Sequence, residues 1–332
     1  MNVSIVVAPR ERFSSLVQTV EELVETVPGN VPIVVVEGGS PPWVRKKIEA
    51  ISKIRKITWF SLDEPLTPNA ARNIGLENTS TKYVVFVDND ITFEEKWLEN
   101  LVARAETDSA DVVAPLICIG PPRARIIHHA GGVLEIQGSG PEMVIKENHR
   151  LMDVPIEDFN DSNAPPENQV GEFHCLLVSR SLMDKIGPLD ERLITREQMD
   201  FALRCMAVNA TVRFERNSVV TYSAKVKFTR EDLKYHLFRW ADLLAVQSIE
   251  AFEDSWGVKL DRNRIRFKWI AKHRRNAFRS CFSIQQRVFG VFIGRTLGRE
   301  ESSVRELVAS ATKNHKIPQK PASTAEQLLI KS

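Results

Sequence analysis

Short β-branched runs and amphipathic stretches alternate along the first part of the chain. "VSIVVA" (3–8), "VPIVVVE" (31–37), "KITWF" (56–60), "KYVVFVD" (82–88) and "DVVAPLI" (111–117) read as strands, being short apolar runs bounded by turn residues. Between the first two, Leu16, Val20, Leu23 and Val27 recur at helical spacing, and "PPWVRKKIEAI", "PNAARNIGLEN" and "FEEKWLENLVARAE" continue the helical pattern. Strand and helix alternating in this way predict βαβ units and a mostly parallel sheet flanked by helices.

In open α/β sheets, ligands bind beyond the carboxyl ends of the strands. Those ends are Ala8-Pro9-Arg10, Glu37-Gly38-Gly39-Ser40 and Asp88-Asn89-Asp90, so three polar strand ends are expected on one edge. From about Pro121 the pattern changes to two short strands in "RARIIHHAGGVLEIQGSG" and a polar, Pro- and Asn-rich stretch, "DVPIEDFNDSNAPPENQ", expected as a mobile loop. A strand "VGEFHCLLVSR", a short helix "SLMDKIG", a turn entering a further helix at "REQMDFALRC", and strands "TVRFE" and "SVVTYS" follow. The remainder reads as largely helical.

Composition narrows the class only a little. The 332 residues carry 45 Lys plus Arg and 43 Asp plus Glu, a balance that implies no nucleic-acid partner. Four scattered cysteines without CxxC spacing fit a reduced, cytoplasmic chain better than a disulfide framework or zinc site. The start, "MNVSIVVAPRERF", lacks the basic lead and long apolar core of a signal peptide, and no apolar run is long enough to span a bilayer. Any membrane contact is expected to be peripheral, at the inner face.

The end of "VVFVDND" carries the chemistry. Asp88 and Asp90 are two apart and share a side in extended geometry. Carboxylates held together repel, and a hard divalent ion with oxygen ligands, Mg²⁺ or Mn²⁺, relieves that cost while also binding phosphates. A strand ending in a turn is the bland alternative. The ordered set "VSIVVAPRER … VVVEGGS … NAARNIGL … YVVFVDNDI … IIHHAGGVL … FHCLLVSRSLMDKIGPLDERL … REQMDFALRC" resembles a family 2 glycosyltransferase with the GT-A fold, over roughly residues 1–225.

That resemblance implies a metal-dependent, inverting transfer of sugar from a nucleotide sugar, with a UDP sugar expected, to a hydroxyl of a glycan or similar acceptor. It implies that Pro9 and Arg10 lie against the nucleotide, and that Glu37 holds base or ribose although the family's second acid is missing here. Arg72 or Asn73 would face the nucleotide, Asn89 would belong to the nucleotide-sugar site, Asp88 would meet the ribose and the metal, and Asp90 the metal. The family's third metal ligand, a His after the later strands, is replaced by Tyr222, so Asp90, phosphate and water are expected to hold the ion, with Lys225 or Lys227 adding charge. His128 and His129, adjacent on a strand, point to opposite faces and are expected in a structural or acceptor-lining role. Asp190 is expected to fix the turn before the next helix, and Tyr235 and Trp240 to pack in the core or under the acceptor.

An inverting transfer also needs a base. The family's acidic pair aligns with Glu197-Gln198, and an amide cannot act as a general base. Glu197 is the preferred base, Asp200 one helical step on is a second, and lost turnover in a binding protein is a third. Thr195 and Gln198 also form a capping-box pattern that would explain the amide. A nucleotidyltransferase is disfavoured because no glycine-rich phosphate loop follows the first strand.

Between Lys259 and Arg299 lie twelve Lys and Arg against Asp261 alone, interleaved with Phe267, Trp269, Ile270, Phe278, Phe282, Phe289 and Ile293. Such a helix can lie on an anionic membrane or pack its aromatics on the preceding domain. The expected layout is a GT-A domain at 1–227, with a donor half at 1–118 and an acceptor half at 119–227, a basic helical extension at 228–312 and a flexible tail at 313–332.

Overall fold

The computed structural model describes all residues except 11, 139–141, 161–164, 224–227, 282–303, 314, 320, 322–326 and 329–332, and the side chains of 230 and 277–281. Lys225, Lys227 and the basic and aromatic positions at 282–303 therefore lie outside the described residues.

The strands form where the apolar runs predict: β1 (Val3–Ala8), β2 (Ile33–Gly38), β3 (Ile57–Leu62) and β4 (Tyr83–Asp88). They pair in parallel in the order β3-β2-β1-β4. A short β5 (Ile91–Phe93), β6 (Val112–Ile119) and β7 (Ile127–His129) follow, then β8 (Gly132–Gln137), β9 (Val144–His149), β10 (Cys175–Ser179) and β11 (Val212–Tyr222). Beyond β4 the sheet continues β10-β6-β11-β5.

The sheet is mixed rather than parallel throughout, because β10 enters antiparallel to both β4 and β6. "TVRFE" and "SVVTYS" are one strand, β11, whose register against β6 shifts between Glu215 and Val219 as a bulge does. Strand β9 was not expected from the apolar pattern. It pairs with β8 in a separate hairpin, and its alternation is mostly polar because one face is exposed.

Side chains alternate between the two faces of the sheet. Val3, Ile5 and Val7 join one core with α1 (Leu16–Thr26), α2 (Pro42–Ile54), α4 (Trp97–Thr107), α7 (Arg230–Arg239) and α8 (Asp242–Trp256). Val6 and Ala8 join the other with α3 (Pro68–Glu77), α5 (Arg180–Ile186) and α6 (Glu197–Ala207). The C-terminal extension shares the first core through Ile265 and Ile270, and Trp240 stacks on His273 at 4.1 Å. Its paired cations include Arg262 with Glu253 and Arg266 with Asp242. The segment expected as a free tail is docked where described. Glu191 N–H donates to the Lys316 carbonyl, Lys316 N–H donates to the Glu191 carboxylate, and Leu328 is buried in a third core with α6 and α8. Among the described residues no helix is long and apolar enough to cross a membrane.

This packing sets the cost of two changes. A Cβ on Gly75 would sit 2.2 Å from Val6 Cγ1, so Gly75→Ala is expected to cost about 1–3 kcal/mol by overpacking α3 on β1, read as a lower urea midpoint at unchanged slope. His129 on β7 is wholly buried, and burial pushes its imidazole pKa down to about 3. Its contribution to stability is complete above the unfolded value of about 6.5 and is lost as the pH falls from there toward 3, because only the unfolded chain takes up the proton. Stability is expected to drop by about 2 kcal/mol between pH 6.5 and 5 from this site, a slope that His129→Gln should remove in urea titrations.

Candidate active site

The three polar strand ends do not contribute equally. At the end of β4, Asp88 is fully buried, and its two oxygens meet Arg72 Nη2 at 2.7 Å and Arg10 Nη1 at 3.0 Å. His174 Nδ1 lies 3.1 Å from the same carboxylate. Burial alone would raise the Asp88 carboxyl, but Arg72 and Arg10, with His174, outweigh it and hold the group well below the usual carboxylate range. The Asp90 carboxylate meets Arg12 Nη2 at 3.0 Å, and that same nitrogen donates to the Ser223 carbonyl. Asn89 accepts the Arg10 backbone N–H at 3.0 Å and donates to the Arg12 carbonyl. The loop after β1 is thus laced to the loop after β4, with Pro9 held by Tyr235 Oη on its carbonyl.

Arg72 reaches this point because α3 begins well. Thr67 caps it, accepting from Ala70 N–H, and Pro68 supplies a fixed φ in the first turn. The guanidinium is further fixed by Asn69 and by the face of Phe173, 4.3 Å away. Asn73 is turned elsewhere, binding Leu189 and the Glu191 carboxylate. Glu37 is likewise enclosed: its oxygens accept from Ser40 N–H and Ser61 Oγ, with Arg45 at 3.7 Å. The missing second acid has a steric reason, because a Cβ on Gly38 would lie 2.1 Å from the Glu64 carbonyl oxygen.

His174, just before β10, was not anticipated. It brings a third donor to Asp88 and Asp90, one ligand atom from each lying within 4.8 Å of the others. Tyr222, the position read as replacing a ligand, instead stacks on this histidine with ring centroids 4.2 Å apart. The signal available in "EFHC" was a histidine one step before a strand that would have to pair next to β4. Two carboxylates and an imidazole suit a divalent cation of the Mn²⁺ or Mg²⁺ kind, so the donor set fits the expected ion, although arginines already offset both charges.

At the start of α6 the capping box does not form. Arg196 is the cap, left-handed at φ 67° with no side-chain cap, and Thr195 is engaged by Ser248. Glu197 is buried and paired with Arg239 Nη2 at 3.3 Å. Asp200 lies with Arg204 and Trp256 Nε1, each 2.8 Å from one of its oxygens, in the core between α6 and α8. Gln198 donates to Glu147 of β9 at 3.3 Å. Glu147 also meets His149 Nε2 at 2.8 Å, and His149 approaches Glu172, which lies against His128 and His174. A line of polar groups therefore connects the α6 start to Asp88. Asp190 closes on Arg192 in a bidentate pair and steadies the turn before α6.

The model of the family described as glycosyl transferase family 2 matches residues 4–187. The chain is 25% identical over 164 residues to a pre-mycofactocin glycosyltransferase of Mycobacterium tuberculosis, covering 48% of this chain and 31% of that protein. It is 22% identical over 200 residues to an uncharacterized glycosyltransferase of Rickettsia felis, covering 58% and 32%. It spans about a third of the length of these relatives. Among solved structures, GalNAc-T7 with UDP, GalNAc and Mn²⁺ superposes with a TM-score of 0.53 at 17% identity, over 85% of this chain and 55% of that one. The mannosyltransferase PcManGT of Pyrobaculum calidifontis, with GDP-Man and Mn²⁺, gives 0.50 at 14%, over 94% and 86%. With residues 4–187 of 332 matched and the fold superposing on such structures, the chain belongs to glycosyl transferase family 2 and has the GT-A fold.

Proposed function

We propose that this glycosyltransferase is metal-dependent and inverting, and that it moves a sugar from a nucleotide sugar, with a UDP sugar expected, to a hydroxyl of a glycan or similar acceptor. The observation that carries the reading is the convergence of Asp88, Asp90, Arg10, Arg12 and Arg72 at the carboxyl edge of β1 and β4. Arg10, the most exposed of the five, stands where a diphosphate would meet a cation. Asp88 and Asp90, with His174 at their edge, would hold Mn²⁺ or Mg²⁺, which supplies neutralisation of charge on the departing nucleoside diphosphate. The two solved structures above carry UDP or GDP-Man with Mn²⁺, which supports the donor class.

Glu197 is the proposed base, since it opens α6 beside the position where the family's second acid stands. Glu147 is a second reading, favoured by its contact with Gln198, which puts a carboxylate from β9 next to the amide. The basic extension supports a peripheral contact with anionic lipid, because Phe267 is 61% and Trp269 37% exposed beside exposed Arg264 and Lys268.

A UDP sugar plus Mn²⁺ is expected to raise the melting temperature, and Asp90→Ala to abolish the rise; no rise with any nucleotide sugar sinks the reading. In turnover assays Glu197→Gln should lower kcat by about 10²-fold or more with nucleotide affinity kept. Loss in Glu147→Gln alone moves the base to β9, and a wild type that binds but never turns over identifies a binding protein. Co-sedimentation with phosphatidylglycerol vesicles should weaken in Phe267→Ser; sedimentation unaffected by that change removes the lipid contact.

A further inference from the structure

Beside the donor site, and sharing His174 with it, lies a cluster of histidines around one buried carboxylate. His128 Nε2, from β7, is 3.2 Å from Glu172 Oε2, and His174 Nε2 is 3.8 Å from the same oxygen. One ligand atom from each of the three falls within 4.8 Å of the others. His149 Nδ1 approaches the other carboxylate oxygen at 3.7 Å. We propose that His128, Glu172 and His174 form a second divalent-cation site, separate from Asp88 and Asp90, for a transition-metal ion such as Zn²⁺, Co²⁺ or Mn²⁺.

Charge compensation is the first argument. Asp88 and Asp90 have arginine partners, whereas the ion-pair partners of Glu172 among the described residues are histidines alone. A buried carboxylate needs a cation beside it, and among the described residues no lysine or arginine pairs with this one. Unmade hydrogen bonds are the second argument. Glu172 Oε2 is buried without a hydrogen bond of acceptable geometry, and so is His149 Nδ1. Buried polar atoms are otherwise nearly always satisfied, so an orphaned carboxylate oxygen between His128 and His174 marks a missing partner.

The spacing is also right for ligands. Metal bonds of about 2.1 Å place neighbouring donor atoms about 3.0 Å apart at octahedral angles and about 3.4 Å apart at tetrahedral ones. Two imidazoles and one carboxylate are a donor set for Zn²⁺, Mn²⁺ or Fe²⁺ that leaves positions open for water or a hydroxyl. Ligating histidines commonly give their other ring N–H to a carboxylate, and His174 places Nδ1 by Asp88 while Nε2 faces Glu172. A neutral imidazole binds one metal through one nitrogen, so this assignment leaves the donor-end ion to Asp88, Asp90 and phosphate. His128, with its side chain 20% exposed, opens the cluster to solvent.

The experiment uses the full chain, stripped of metal and titrated with Co²⁺ alone in the absence of nucleotide, followed by d–d absorption. Intense bands of a low-coordinate, imidazole-bound Co²⁺ are expected. His128→Gln, at a partly exposed position and checked for folding by circular dichroism, should weaken binding by at least about 10-fold, as should Glu172→Gln if it folds. Asp90→Asn should leave the bands in place. Absence of the bands in folded wild type, or bands that persist in His128→Gln, overturns the second site. Because no nucleotide is present, failure here is distinct from failure of the donor reading, which rests on the nucleotide-induced rise in melting temperature.

Discussion

A single buried carboxylate organises this molecule. Asp88 is shut from water, and an isolated charge there would be prohibitively costly. Two guanidinium groups and an imidazole offset that cost, and each comes from a different part of the chain: Arg10 from the loop after β1, Arg72 from α3, and His174 from the approach to β10. Satisfying one side chain therefore ties three elements to the end of β4. Removing one member of such a buried pair leaves the others uncompensated, which is why these groups behave as a unit rather than as separable contacts.

The parts legible in the sequence are those that depend on near neighbours. Val and Ile runs mark β1 to β4, and the "PNAARNIGLEN" helix could be placed because it falls in the strand–helix alternation between two of them. The acidic end of β4 stood out for the same reason. Partners far apart along the chain were less visible. Arg12 meets Asp90 across 78 positions, and His174 meets Asp88 across the β4–β10 pairing, which only the topology creates. The third-ligand position was sought at Tyr222, which turned out to pack against the histidine that brings the donor atom. A capping box was one explanation for Gln198, but helix α6 starts from a left-handed Arg196, and the amide is drawn to a hairpin strand too polar to be read as β.

The same hairpin changes how the α6 start is understood. An amide where an acid is usual leaves a gap in charge, and Glu147 lies against that gap from a different element. From there, His149, Glu172, His128 and His174 follow in contact toward Asp88. Changes at either end are thus connected through titratable groups rather than apolar packing, and such groups respond to pH and to bound cations in ways that a hydrophobic core does not.

The docked segment near the C-terminus carries a practical consequence. Glu191 takes a hydrogen bond from Asn73 on one carboxylate oxygen and from the Lys316 backbone on the other. Asn73 is the immediate neighbour of Arg72, whose guanidinium holds Asp88. Cutting the chain just after 312, or fusing another protein there, would strip one side of Glu191 and loosen the helix that positions the donor arginine. Where the far end of the chain is trimmed is therefore also a choice about the nucleotide end of the site.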